Sequence, residues 1–137
     1  MMNPMSNQGL ILFAHGARDP RWAAPFEAVA RQIALQQPQL QVRLAFLELM
    51  SPSLAQAGAE LRAAGCIRVD VLPMFLGTGG HLRKDLPPMI EHLREQHPSV
   101  RWRLHDAVGE QPLVREAMAA TALVLLAEHD AAQGAGP

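Results

Sequence analysis

The chain has one cysteine, Cys66, in 137 residues. A lone thiol excludes an intrachain disulfide framework and any multi-thiolate zinc or iron–sulfur site, so a metal bound here has to use histidine and carboxylate. Such sparing cysteine use makes the cytosol the expected compartment. No stretch approaches the roughly eighteen apolar residues that a membrane span needs, and Met1 to Gln8 shows no basic segment followed by a long apolar run. The expectation is an untargeted protein with no membrane partner. A positive excess is missing too: the formal net charge is −1, and no stripe of interleaved basic and aromatic residues appears, which argues against nucleic acid as a partner.

Several motifs are absent as well. The glycine-rich stretch Gly77-Thr78-Gly79-Gly80 lacks the Gly-Lys-Ser/Thr ending of a phosphate-binding loop and does not have the glycine spacing of a dinucleotide site. Ala14 precedes His15 where a phosphohistidine phosphatase carries arginine. There is no Gly-x-Ser-x-Gly nucleophile elbow, and Met74-Phe75 stand where a receiver domain ends its third strand in aspartate.

What is present is an alternation of strand-like and helix-like segments. About half of the chain, 49%, is apolar, enough for one compact domain with a real core. Leu10 to His15 reads as a buried strand and Pro25 to Gln37 as a helix, with Phe26, Val29, Ala30 and Ile33 at helical spacing. Val42, Leu44 and Phe46 mark a second strand, and Ser51-Pro52 opens a helix that ends at Gly65. Ile67 to Met74 gives a third strand, followed by a helix with Asp85 as its cap, running through Met89, Ile90 and Leu93 and stopping before Pro98. Val100, Trp102 and Leu104 alternate with Arg101, Arg103 and His105 as a half-exposed edge strand does, and Leu113 to Ala127 reads as an amphipathic helix. Four strand–helix units with short links imply right-handed crossovers. The fold expected is a single three-layer α/β domain over residues 9–129, with a four-stranded parallel sheet in the order 2-1-3-4 flanked by helices, a flexible start over 1–8 and a flexible tail over 130–137.

In that topology His15, Glu48, the loop Phe75 to His81 and the segment Asp106 to Glu110 all follow strand ends, on the edge where parallel sheets open their binding crevices. The first and third strands are neighbours about 4.8 Å apart, so imidazoles from the His15 and His81 loops are able to meet one ion. His92, His97 and His129 fall on or beside helices and read as surface residues, and His105 is ambiguous between rim and solvent. Plainer readings stand beside these. His15-Gly16 serves equally as a local turn, Gly77 to Gly80 as a tight connection, Glu48 as a solvated carboxylate, and Arg18, Arg21, Arg83 and Lys84 as surface charge. The clustering of those cations in the two histidine loops favours a polyanionic ligand.

Three segments together resemble the small sirohydrochlorin cobaltochelatases, a short-form group of tetrapyrrole chelatases. They are Leu12-Phe13-Ala14-His15-Gly16-Ala17-Arg18-Asp19-Pro20; Phe46-Leu47-Glu48 with Ser51-Pro52-Ser53-Leu54; and Pro73-Met74-Phe75-Leu76-Gly77-Thr78-Gly79-Gly80-His81 with Asp85 and Pro87. The similarity runs from about Leu10 to Leu125, with one departure: Ala17 stands where the family commonly has serine.

The resemblance implies a chelatase-like fold and a lyase that inserts a divalent metal, Co2+ first and Fe2+ or Ni2+ as alternatives, into sirohydrochlorin without nucleotide, in cobalamin or sirohaem-type biosynthesis. It assigns His15 and His81 as metal ligands and proton acceptors and Glu48 as a carboxylate that aids delivery or orients an imidazole. Arg18, Arg83, Lys84 and the backbone of Gly79 and Gly80 become partners for the carboxylates of the macrocycle. Imidazole suits the task, since it binds borderline divalent ions, leaves coordination positions open and ordinarily titrates near pH 6.5. A flat macrocycle wants two walls, so the short form implies a homodimer around the cleft. The rival readings are a carrier that binds metal or tetrapyrrole without turnover and, more remotely, an anion-binding α/β protein.

Overall fold

The structure is a computed structural model that describes residues 7–77 and 79–134, with His81 placed by its backbone. Four strands, β1 (Gln8–Ala14), β2 (Gln41–Phe46), β3 (Arg68–Pro73) and β4 (Arg101–Leu104), form one all-parallel sheet in the order β2-β1-β3-β4. The helices between and after them are α1 (Ala24–Gln36), α2 (Leu54–Ala63), α3 (Gly80–Gln96) and α4 (Pro112–Gly134), with single 3-10 turns at Pro20–Ala23 and Val108–Glu110. Order and direction match the sequence reading, because short links force each crossover back onto the sheet with the same hand.

Strand parity divides the residues between two faces. Ile11 and Phe13 of β1, Ala45 of β2, and Val69 and Val71 of β3 join Trp102 of β4 beneath α2 and α3. Leu54, Ala57, Leu61, Leu86, Ile90 and Leu93 close that core from the helix side. Removing each large apolar side chain of this set from water is worth about 1.5–3 kcal/mol, so this layer carries most of the stability. The opposite face is covered by α1 over β1 and β2, where Trp22, Phe26, Leu44, Met50 and Met74 pack around Ala14, Ala23 and Phe46.

Three local readings are corrected. Ser53, not Ser51-Pro52, caps α2: its hydroxyl accepts from Gln56 N at 3.1 Å while Gln56 Oε1 accepts from Ser53 N at 2.8 Å. Asp85 caps nothing, because α3 begins five residues earlier, with Gly79 at the cap position and no side chain bonded there. The last helix runs on to Gly134, through the start of the expected tail; residues 135–137 lie outside the described residues. Among the described residues no helix is long and apolar enough to cross a membrane.

Candidate functional site

The carboxyl ends of the strands are tied into one continuous rim by backbone bonds beyond the strands themselves. Leu47 N donates to Ala14 O at 2.9 Å, Glu48 N to His15 O at 3.1 Å, Met74 N to Phe13 O at 2.7 Å, and Gly109 N to Phe75 O at 2.9 Å. Between β1 and β2 the contact is close enough to dictate glycine. Gly16 has φ +98°, and a Cβ there would lie 1.8 Å from the Glu48 carbonyl oxygen. The two peptides are thereby pressed together, which brings the side chains of their neighbours side by side. His15 Nε2 stands 3.7 Å from Glu48 Oε1, with the two side chains 51% and 55% exposed. This is ion-pair range, longer than a hydrogen bond. His15 Nδ1 lies 3.3 Å from Gly16 O; with the ring proton on Nδ1, Nε2 presents its lone pair toward Glu48, giving one nitrogen and one oxygen donor at the rim.

The β3 exit is pinned on its near side and open on its far side. Phe75 meets the core residue Phe13 edge to face, centroids 6.2 Å apart, and a Cβ on Gly109 would lie 1.9 Å from Leu76 O. Beyond Leu76 the constraint ends. Among the described residues nothing lies within 4 Å of where a Cβ on Gly77, Gly79 or Gly80 would sit, and none of the three has a positive φ. Neither crowding nor backbone conformation demands glycine there; what the glycines provide is bare backbone open to an approaching molecule. Gly79 and Gly80 are both exposed, and His81 follows as the second residue of α3. Thr78 and the His81 side chain lie outside the described residues.

Of the cations singled out in the sequence, Arg18 is exposed on the loop after β1 and Lys84 is exposed near the start of α3. Arg83 reaches across to Glu110 Oε1 at 3.2 Å. Together with Leu82, Leu86, His105 and Asp106 that pair lines a cavity of about 210 Å³ between the start of α3 and the exit of β4. Arg21 is otherwise engaged: it grips Asp19, whose carboxylate also accepts from Arg21 N and starts the 3-10 turn. The guanidinium holds the Asp19 carboxyl below the usual carboxylate range. Among the described residues no group of three or more histidine, cysteine, aspartate and glutamate side chains converges, so His15 and Glu48 stand as a pair.

One pairing was out of reach of sequence reading. His105 Nε2 lies 2.6 Å from Asp70 Oδ2, both side chains partly buried, on the α1 side of the sheet. Alternation placed His105 on the face of Arg101 and Arg103, but only the register Asp70↔Arg103 brings an acid from a strand thirty-odd residues earlier alongside. His92 and His129 are exposed on helices, and His97 follows α3 and leans on Trp102, centroids 6.1 Å apart.

Comparison with known proteins places this rim in a family. The CbiX profile matches residues 9–123. The chain belongs to the CbiX family. A CbiX protein from Marinobacter aquaeolei VT8 shares the fold at a TM-score of 0.77 and 34% identity, over 88% of this chain and 98% of that one. Curated relatives named sirohydrochlorin cobaltochelatase include one from Saccharolobus solfataricus, 30% identical over 60% of this chain and 62% of its own length. Another, from Methanococcoides burtonii, is 26% identical over 61% of this chain and 63% of its own. The match thus spans less than two-thirds of either curated relative. The sirohydrochlorin chelatase SirB from Bacillus subtilis subspecies spizizenii, solved in complex with cobalt, shows the same fold at a TM-score of 0.63 and 23% identity, over 77% of this chain and 45% of its own. Membership in the CbiX family accounts for the sheet order and for the rim loops, both of which lie within the matched residues.

Proposed function

We propose that this chain inserts a divalent metal ion into a sirohydrochlorin-type tetrapyrrole, with cobalt preferred over iron or nickel, without nucleotide hydrolysis. The observation that carries the reading is the His15–Glu48 pair, held at the rim by Gly16 in a chain of the CbiX family. Insertion exchanges two pyrrole N–H protons for one M2+, so the site has to strip water from the ion, present it to the macrocycle and accept two protons. His15, with His81 opening α3 on the adjacent exit, supplies neutral nitrogen ligands that release the ion and then take up protons. Glu48 adds a single carboxylate oxygen, which draws the cation in without completing a cage that would retain it. The exposed Arg18 and Lys84, Arg83 beside Glu110, and the bare backbone of Gly79 and Gly80 face the carboxylates of the substrate.

A rim cavity of about 210 Å³ is small beside the roughly 300–1,000 Å³ of pockets that enclose organic ligands, which supports a homodimer with the macrocycle between two rims. The proposed setting is the cytosol, on the cobalamin or the sirohaem-type branch.

The test mixes protein, Co2+ and sirohydrochlorin and follows the absorption change until product is counted against protein. Product beyond one equivalent is expected; stoichiometric binding alone identifies a carrier instead. His81→Ala should lower turnover at least about 100-fold with an unchanged melting temperature, the scale of losing a proton-transfer group. Near-normal turnover in that variant refutes the mechanism. Competition among Co2+, Fe2+ and Ni2+ in the same assay tests the metal preference.

A further inference from the structure

Two loops leave the sheet on either side of His15, and they follow the same plan. After β2, Phe46 joins the cluster beneath α1, Leu47 packs on the core beneath α2 and α3, and Met50 returns to the α1 cluster. After β3, Met74 packs on the α1 cluster and Phe75 on the main core. Each loop has one apolar residue left over. Leu49 is 59% exposed and Leu76 72% exposed, and among the described residues neither packs on either cluster. One exposed leucine needs no explanation. Two at matching places around the His15–Glu48 pair are a feature of the site.

Neither leucine sits at a loose loop tip. The chain passes through Leu49 with φ +66°, the one non-glycine residue with positive φ among the described residues. Bulky side chains avoid that region, where glycine or asparagine is the ordinary occupant. The peptide leading into Leu49 is the one whose carbonyl presses on Gly16, so the turn is imposed from the β1 exit. Leu76 is clamped from the β4 exit in the same manner. A Cβ on Gly109 would run into the backbone of Leu76, and Gly109 N donates to Phe75 O at 2.9 Å. Both backbones are thus pinned by the glycine of a neighbouring loop while their side chains stand in solvent. Holding a leucine outward on an unfavourable backbone lowers stability, and no packing within the described chain offsets it. The compensating contact has to come from a ligand.

The exits of β2 and β3 flank that of β1, two strand spacings or about 10 Å apart. The His15–Glu48 pair lies within that span. We propose that Leu49 and Leu76 form a two-point apolar platform on which the face of the macrocycle rests, one leucine on either side of the metal-delivering pair. The platform rests on the tetrapyrrole reading of this site. A tetrapyrrole is flat, apolar on its faces and carboxylate-bearing around its edge. Cations such as Arg18 and Lys84 hold the edge, but they do not fix how high the ring lies over the ion. Aliphatic contacts on the face fix that height, and with it the distance a metal crosses from His15 to the ring nitrogens.

The test titrates the full chain with metal-free sirohydrochlorin by absorption, beside Co2+ affinity, turnover, sedimentation and melting temperature. Leu49→Asn places a residue suited to positive φ and removes only the apolar surface; Leu76→Asn removes it at the other exit. Each should raise the sirohydrochlorin Kd at least about tenfold, the scale of losing one buried aliphatic side chain. Co2+ affinity and particle size should not change, and Leu49→Asn should melt no lower than the parent. Leu49→Met keeps an apolar side chain of similar volume and should retain most of the affinity. If both asparagine variants bind sirohydrochlorin as tightly as the parent, the platform is overturned, whether or not metal is inserted. A loss of affinity that tracks a fall in particle size overturns it too, because the leucines are then a subunit contact. Leucine-dependent binding by a parent that never turns over leaves the platform standing and sinks the chelatase reading alone.

Discussion

Gly16 is where one residue type holds the candidate site together. Its φ of +98° lies in a region that side chains avoid, and any Cβ would run into backbone, which cannot swing aside as a side-chain tip does. Gly16→Ala should therefore cost about 1–3 kcal/mol in denaturant unfolding and force Glu48 away from His15, with metal insertion falling in step. A variant as stable and active as the parent would show that the two loops do not depend on each other. Cys66 gives a second expectation. Burial pushes its thiol above the usual range, with a smaller opposing influence from Arg43, so the reactive thiolate is scarce near neutrality. Alkylation at pH 8 should proceed only as the protein unfolds, and fast labelling of the native chain would contradict its place under α2. Both residues stood out in the sequence, the glycine by following a strand-end histidine and the cysteine by being alone. The Asp70–His105 pair did not, because it depends on which residues of two separate strands fall into register, and no local pattern encodes that.

Helix ends show the same division between local and distant causes. Ser53 and Gln56 satisfy each other's backbone in a capping box, a signal spanning four residues that begins one step past the Ser51-Pro52 pair. Ser53→Ala removes an acceptor for a helix N–H, and a loss of about 1 kcal/mol is expected in thermal or denaturant unfolding. No change would mean that packing of Leu54 and Ala57 alone holds the first turn. At α3 the sequence pointed to Asp85, an ordinary capping residue, and the structure begins the helix at the glycines instead. The difference has a physical cause. Leu86, Ile90 and Leu93 pack into the core at helical spacing, and that burial carries the helix back to Gly80 even though Gly79 offers no side chain to cap it. The strands were legible because buried parallel strands are short apolar runs, and their order followed from the shortness of the links.

At the scale of the molecule, what the sequence displayed and the single chain leaves unresolved is α4. The apolar run from Ala117 to Ala127 is plain in the sequence, but its burial partner is not: no described residue of α4 is buried, and Leu123, Val124, Leu125 and Leu126 are each more than half exposed. If a second copy supplies the contact, folding and association are one equilibrium, and stability has to depend on protein concentration. A tenfold rise in concentration then adds about 1.4 kcal/mol per mole of dimer. Unfolding entropy is about 2.1 cal/mol/K per residue, so for two chains of this length the melting temperature should climb by about 2 °C per tenfold. Calorimetry or fluorescence melts over a hundredfold range of concentration read this directly. A melting temperature that stays constant across that range means that each chain folds alone, and the exposed leucines of α4 then have to find their cover within it.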